Sequence, residues 1–142
     1  MLRAFVVWEE IMAQHKRSFV KGDHAQIRAY SPAVITEGGR IVWLAGQTAG
    51  EDANGRSLAG DFEGQSREIF RRLGKTLEEA GGTLKNMVTM TVFITDARHG
   101  TRLTEIRREI FGDDFAASAL ITVTALARPE LLIEIQGIAV TD

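Results

Sequence analysis

The chain has 142 residues, a formal net charge of −2 at pH 7 and no cysteine, and 44% of its residues are hydrophobic. This length suits one domain with a real core, and the small net charge gives no field that would favour nucleic acid or an anionic membrane. The lack of cysteine excludes disulfides, thiolate catalysis and cysteine-ligated zinc, and fits the cytoplasmic location that we expect.

Residues 1–16 are predicted to be an N-terminal extension, and residues 17–142 a single domain. The apolar start lacks the basic front end and the small-residue cleavage site of a signal peptide. The longest apolar runs are shorter than the roughly 18 residues that a membrane helix needs. The extension fits either a mobile terminus or a short amphipathic helix with Leu2, Val6 and Ile11 on one face.

Short strands are predicted in the first third of the chain. Gly38-Gly39 lies between two runs with strand composition, which indicates a β-hairpin with a glycine turn. A polar, glycine-rich loop follows. The predicted strands are 19–21, 27–30, 33–37 and 41–45.

Helical periodicity dominates the centre of the chain. Asp61 can cap a helix that runs to about residue 80, because apolar residues then fall on one face and Gly81-Gly82 permits a left-handed end. The basic pairs Arg71-Arg72 and Arg107-Arg108 are predicted to be solvent-exposed helix faces. The remaining predicted elements are a strand at 87–94, a helix at 98–111 and strands at 119–126 and 131–140.

This order predicts an α+β fold in which two helices pack on one face of a mixed β-sheet. The other face still carries apolar residues from several strands, and no predicted element of the domain remains to cover that face. We therefore expect the protein to self-associate.

Several kinds of site lack support in the sequence. His15, His24 and His99 share no metal-ligand spacing, and neither a nucleotide-binding glycine motif nor a serine-hydrolase elbow occurs. No basic stripe with interleaved aromatic residues points to RNA. We predict no metal, no cofactor, no nucleic-acid partner and no membrane association.

Glu134 is the least expected residue, because it lies in the middle of the apolar run 131–140. Charged groups are rarely buried without a partner, since losing water costs several kcal/mol. Glu134 either points to solvent from a half-exposed strand or is held in a cleft for its chemistry.

Four segments, read together, resemble the Rid family, also called YjgF or reactive-intermediate deaminases. Their order and spacing fit over residues 19–140, and they are Tyr30-Ser31-Pro32-Ala33, Ala45-Gly46-Gln47, residues 91–96 and Ile133-Glu134-Ile135. The resemblance implies a chorismate-mutase-like fold and a homotrimer with a central barrel and clefts between subunits. It also implies hydrolysis of small imines and enamines to keto acids and ammonia, without a cofactor.

The resemblance also implies roles for individual residues. Glu134 would hold the attacking water, Gly46 would offer its backbone N–H to the ligand, and Tyr30 would line the cleft. A carboxylate in a partly dry cleft can orient water or relay a proton. Hydrolysis of an imine needs little further catalysis, because protonation of the imine nitrogen makes its carbon electrophilic.

The sequence departs from the family where deaminases carry an arginine that grips the substrate carboxylate. Ser118 stands at that position in the segment 115–120, and with Leu120 it would shape the cleft. Losing a desolvated arginine–carboxylate pair costs about 2–5 kcal/mol. A serine hydroxyl is a neutral donor with shorter reach and cannot replace it.

Smaller departures accompany this one. Ala45 replaces a family serine, and Thr104 falls near a position where members can carry asparagine. Arg128 is a candidate substitute for the missing cation. It precedes Glu134 by about six residues, roughly 20 Å of extended chain, so we do not expect it to reach the cleft of its own subunit.

The leading hypothesis is a Rid-like hydrolase of a small imine or enamine that lacks the carboxylate of 2-imino acids. One alternative is an ordinary 2-iminopropionate-type deaminase with weakened binding. Another is a non-catalytic trimeric ligand-binding or chaperone-like protein. Ribonuclease activity, attached by name to parts of the family, fits least, because no histidine pair is evident.

Overall fold

A computed structural model describes residues 15–142. The elements in chain order are β1 (Lys16–Val20), α1 (Asp23–Ile27), β2 (Ala33–Glu37), β3 (Arg40–Gln47), α2 (Phe62–Glu79), β4 (Met87–Ile94), α3 (Gly100–Phe111), β5 (Ala117–Thr122) and β6 (Ile133–Thr141). Single 3-10 turns at Leu84–Asn86 and Ala97–His99 precede β4 and α3. Residues 1–14, which are most of the predicted extension, lie outside the described residues. The two conformations predicted for the extension concern those residues.

The main sheet has four strands in the order β3-β6-β4-β5. β6 runs antiparallel to both of its neighbours, and β5 runs parallel to β4 across the α3 connection. The apolar stripes of α2 and α3 share one buried cluster with inward residues of the strands. This confirms the predicted α+β fold with two helices on one face of a mixed sheet.

The predicted β-hairpin is wrong. β2 pairs with β1 in a separate two-stranded sheet, whereas β3 pairs with β6. Gly38 and Gly39 have φ angles of 71° and 78°, and they turn the chain from one sheet into the other. A Cβ on Gly39 would lie 2.5 Å from the carbonyl oxygen of Thr141. This close approach to the end of β6 aligns β3 with that strand.

The strand predicted at 27–30 is also wrong. The short helix α1 ends at Ile27, and a turn follows in which Ala29 has a φ of 59°. A left-handed residue cannot continue a strand, and this turn leads directly to Tyr30.

The other predicted elements are close to the observed ones. The bounds of α2, α3, β4 and β6 lie within two residues of the prediction. β5 is shifted, because it begins at Ala117 and ends at Thr122, which pairs with the last residue of β4. No helix within residues 15–142 is long and apolar enough to cross a membrane.

Glu68 is a buried carboxylate on α2 that anchors the segment after β3. It accepts hydrogen bonds from Arg71 at 2.6 and 2.8 Å and from Arg72 at 3.0 Å. Arg72 in turn donates to the carbonyl oxygens of Thr48 and Glu51. The hydrogen bonds from Arg71, which outweigh the opposing effect of burial, and the one from Arg72 hold the pKa of Glu68 below its usual value.

Replacing Glu68 by glutamine is expected to lower the free energy of unfolding at pH 7 by about 1–3 kcal/mol. Because the folded state lowers the pKa of Glu68, its contribution is complete above the unfolded pKa and is lost as the pH falls through the folded value. Denaturant unfolding at pH 7 and at about pH 3 should therefore give a difference between wild type and variant that shrinks in acid. An equal difference at both pH values would contradict this account. Glu79→Gln, at an exposed position of the same helix, serves as the matched control.

Candidate functional site

A pocket of about 280 Å³ opens at the edge of the main sheet, where β5 meets α3. The structure brings together three residues that the sequence placed in the site, Tyr30, Ser118 and Leu120. The complete lining is His24, Arg28, Tyr30, Arg107, Ser118 and Leu120.

The turn after α1 holds Tyr30 at this pocket. The backbone N–H of Tyr30 donates to the carbonyl oxygen of Ala25, and the N–H of Ser31 donates to that of Ala116, both at 3.1 Å. The second bond ties the turn to the start of β5. The left-handed conformation of Ala29 costs roughly 1 kcal/mol, and these anchors hold it in place.

Arg107, like Arg28, is a pocket residue that the sequence did not single out. It lies on α3 and is only 4% exposed. Its Nη1 donates to Oγ of Ser118 at 2.7 Å, and its Nη2 donates to the carbonyl oxygen of Arg28 at 3.2 Å. The prediction of a solvent-exposed face is therefore wrong for Arg107. Its spacing from Leu103, four residues earlier, puts it on the inward stripe of the helix, and that spacing was the available signal.

The pocket concentrates positive charge in a desolvated place. Burial, and then the charge of Arg28, lower the pKa of Arg107 to about 10, while Tyr30 acts in the opposite direction. Arg107 therefore stays protonated at neutral pH. Its buried Nε has no hydrogen-bond partner in the described part of the chain. The guanidinium of Arg107 thus places a cation beside Ser118, where the sequence comparison with the family showed none.

Glu134 and Gly46 meet at a different place. A bulge in β3 between Leu44 and Gln47 brings Gly46 beside β6. A Cβ on Gly46 would lie 3.1 Å from Cδ of Glu134 and 3.2 Å from Oε2. A side chain at position 46 would crowd the half-buried carboxylate, so glycine favours this close approach of the backbone. An exposed backbone and a carboxylate in contact can share one small ligand.

The two groups lie on opposite faces of the sheet. Ser118 pairs with Met90, on the face that the helices cover, whereas Glu134 and Ile121 both pair with Phe93, on the other face. Side chains alternate strictly between the faces of a strand. Within one chain, the carboxylate of Glu134 and the pocket of Arg107 are separated by the sheet.

The face that carries Glu134 is apolar and uncovered. Trp43 is 75% exposed, Ile41 58% and Ile121 43%. A shallow pocket of about 310 Å³ lies beside Trp43, and Thr91 and Gln136 are among its lining residues. Exposed apolar area of this kind marks an interaction surface.

The remaining candidates lie elsewhere. Arg128 pairs with Glu130 at 3.3 Å, on the loop before β6. His15 contacts Asp142 at 2.6 Å, and His99 stacks on Phe62 with ring centroids 4.1 Å apart. Within residues 15–142, no group of three histidine, aspartate or glutamate side chains could hold a metal ion.

Comparison with known proteins gives a consistent result. The family model described as Endoribonuclease L-PSP matches residues 22–141. A RutC family protein of Pyrococcus abyssi is 30% identical over 113 residues, which are 80% of this chain and 87% of that protein.

Two solved structures extend the comparison. YyfB of Yersinia pestis, from the conserved Rid protein family, is 28% identical with a TM-score of 0.77, over 87% of this chain and 98% of that one. RidA of an Antarctic Psychrobacter is 28% identical with a TM-score of 0.65, over 87% and 98% of the two chains.

Proposed function

Because this chain belongs to the Rid family, also called YjgF, we propose that it hydrolyses small imines or enamines to carbonyl compounds and ammonia. The reaction would take place in clefts between the subunits of a homotrimer and would need no cofactor. The observation that carries this proposal is the contact between Glu134 and Gly46 on an uncovered sheet face, together with a buried guanidinium on the opposite face.

The position of these groups supports a site made by two chains. The sheet separates Glu134 from Arg107 within one subunit, so one subunit alone cannot bring both to a small ligand. Packing the apolar face of one copy against the β5 edge of another would bring the two halves together. It would also cover Trp43 and its apolar neighbours.

The chemistry follows from the carboxylate. Glu134 would hold a water beside the C=N carbon and accept its proton as the oxygen attacks. The resulting carbinolamine would break its C–N bond after the nitrogen is protonated, and ammonia would leave as the C=O bond forms. The backbone N–H of Gly46 would donate to the polar end of the ligand, and Tyr30 would line the other wall.

The position of Arg107 changes the class of substrate that we propose. The leading hypothesis from the sequence excluded carboxylate-bearing 2-imino acids because Ser118 replaces the expected arginine. The guanidinium of Arg107, only 2.7 Å from Oγ of Ser118, supplies the missing type of group from another element. We therefore favour the alternative, an imine with a free carboxylate.

A panel of freshly generated imines, neutral and acidic, tests this function. The full-length protein should speed the loss of at least one carboxylate-bearing imine by about 10²–10⁴-fold over buffer, with matching release of ammonia. Rates equal to those in buffer for every imine would contradict the hydrolase proposal. They would favour a ligand-binding protein without turnover, whose melting temperature would still rise with ligand concentration.

Ribonuclease activity receives less support, although the family description contains that word. His15 is bound to Asp142, and His99 is stacked on Phe62, so these two rings are engaged at separate places. The third, His24, lies at the arginine-lined pocket. No pair of histidines is assembled to act as acid and base on a phosphodiester.

A further inference from the structure

Two guanidinium groups meet at the pocket at the end of β5. Arg107 approaches from α3 and is buried. Arg28 approaches from the turn after α1, where its Nη2 would lie 3.5 Å from a Cβ on Gly100. The same Cβ would lie 3.4 Å from Cδ2 of Leu120, so the Arg28 guanidinium lies beside a lining residue of the pocket.

Neither guanidinium has a counter-ion within residues 15–142. No carboxylate of residues 15–142 forms an ion pair with Arg28 or Arg107, since the ion pairs of this part of the chain use other basic residues. Two like charges in a partly desolvated place repel each other, and burial without a counter-charge is costly. A bound anion would remove both costs.

Donors remain available for such an anion. Each Nη of Arg107 carries two hydrogens and uses one of them, for Oγ of Ser118 or for the carbonyl oxygen of Arg28, so the guanidinium keeps hydrogens for a ligand. Oγ of Ser118 accepts from Arg107, which leaves its own hydrogen free to donate. A carboxylate has two oxygens that can accept from these two donors. Arg28 is then left for a second anionic group.

We propose that this pocket binds two carboxylates of one ligand, the first at Arg107 and Ser118 and the second at Arg28. This inference rests on the proposed hydrolase function, and it names the substrate class as imines of dicarboxylic amino acids. The size of the pocket agrees with it. A pocket of about 280 Å³ is large enough for a four-carbon imino dicarboxylate.

The rival explanation is a carboxylate from a neighbouring subunit. If Glu134 of another copy neutralised both guanidinium groups, the pocket would have no need of a dianionic ligand. In that case anions would bind wild type poorly, and Glu134→Gln would free the guanidinium groups and increase anion affinity.

Calorimetry of the full-length protein with non-reactive probes separates these possibilities. The probes are succinate with two carboxylates, butyrate with one, neutral succinamide and inorganic phosphate. We expect succinate to bind at least about tenfold more tightly than butyrate, and succinamide not to bind. Equal affinity for succinate and butyrate would overturn the inference. So would tighter binding of phosphate than of succinate, or binding of anions to Glu134→Gln only.

Point variants test which arginine binds each carboxylate of succinate. Arg28→Gln should reduce the affinity for succinate to that for butyrate, and Arg107→Gln should abolish the binding of both. Arg56→Gln, at an exposed loop position, should leave binding unchanged. Retention of the succinate preference in Arg28→Gln would overturn the inference. Arg28 is only half-buried, so this variant decides the question even if Arg107→Gln does not fold.

The two proposals can fail separately. Selective binding of succinate without hydrolysis of any imine would leave the dicarboxylate site standing and remove the hydrolase. Hydrolysis of imines with no preference for a second carboxylate would keep the hydrolase and remove the dicarboxylate site.

Discussion

Replacing Glu134 by glutamine is expected to lower kcat for imine hydrolysis by about 10²–10⁴-fold. Glutamine keeps the shape of the side chain and its contact with Gly46, but it cannot accept a proton from the attacking water. KM should change little, because Arg107 and Arg28, the groups proposed to bind the substrate carboxylates, are unchanged in this variant. Steady-state assays of ammonia release measure both constants.

A matched control separates this effect from general damage. Glu79→Gln changes an exposed carboxylate at the end of α2 and should retain wild-type kinetics. Both variants should unfold at denaturant concentrations close to that of wild type. If Glu134→Gln keeps wild-type kcat on every imine that the protein hydrolyses, Glu134 does not activate the water.

Replacing Trp43 by aspartate is expected to dissociate the oligomer and abolish turnover together. Trp43 is 75% exposed on the open face, and a tryptophan at the centre of an interface typically contributes at least about 2 kcal/mol. A buried aspartate would add an unpaired charge. Analytical ultracentrifugation should show a species near 15.6 kDa, the mass of one chain.

The control for this prediction is Lys75→Glu, an equally large change of charge on the exposed side of α2. It should leave both assembly and turnover intact. A Trp43→Asp protein that remains assembled, or a monomer that remains active, would show that the open face does not build the site.

The spacing of apolar residues along the chain predicted those helices and strands that depend on residues near in sequence. The apolar stripe of α2 and the long strand β4 follow from the spacing of residues near in sequence. The partner of β3 does not, because Gly38-Gly39 permits a hairpin as well as a turn between sheets. The approach of Gly39 to Thr141 decides between them, and that contact joins distant parts of the chain.

The sequence pointed to the carboxylate half of the candidate site but not to its cationic half. Glu134 stood out because a charge interrupts an apolar run, and the resemblance supplied Gly46. Arg107 did not stand out, because a basic pair on a polar helix is usually a solvated face. The spacing of Arg107 from Leu103 indicated an inward position, but the position of α3 above Ser118 is needed to show what the buried guanidinium contacts.

The most direct test of a site shared between two chains mixes two inactive variants. Glu134→Gln subunits retain Arg107, and Arg107→Gln subunits retain Glu134, so some clefts of a mixed oligomer would contain both wild-type groups. Random exchange in equal amounts should restore about one quarter of wild-type activity, because each cleft takes its two halves from neighbouring copies. The restored rate should depend on refolding or exchanging the two variants together. If mixed oligomers form and their activity does not exceed that of the separate variants, Glu134 and Arg107 do not act in one shared cleft.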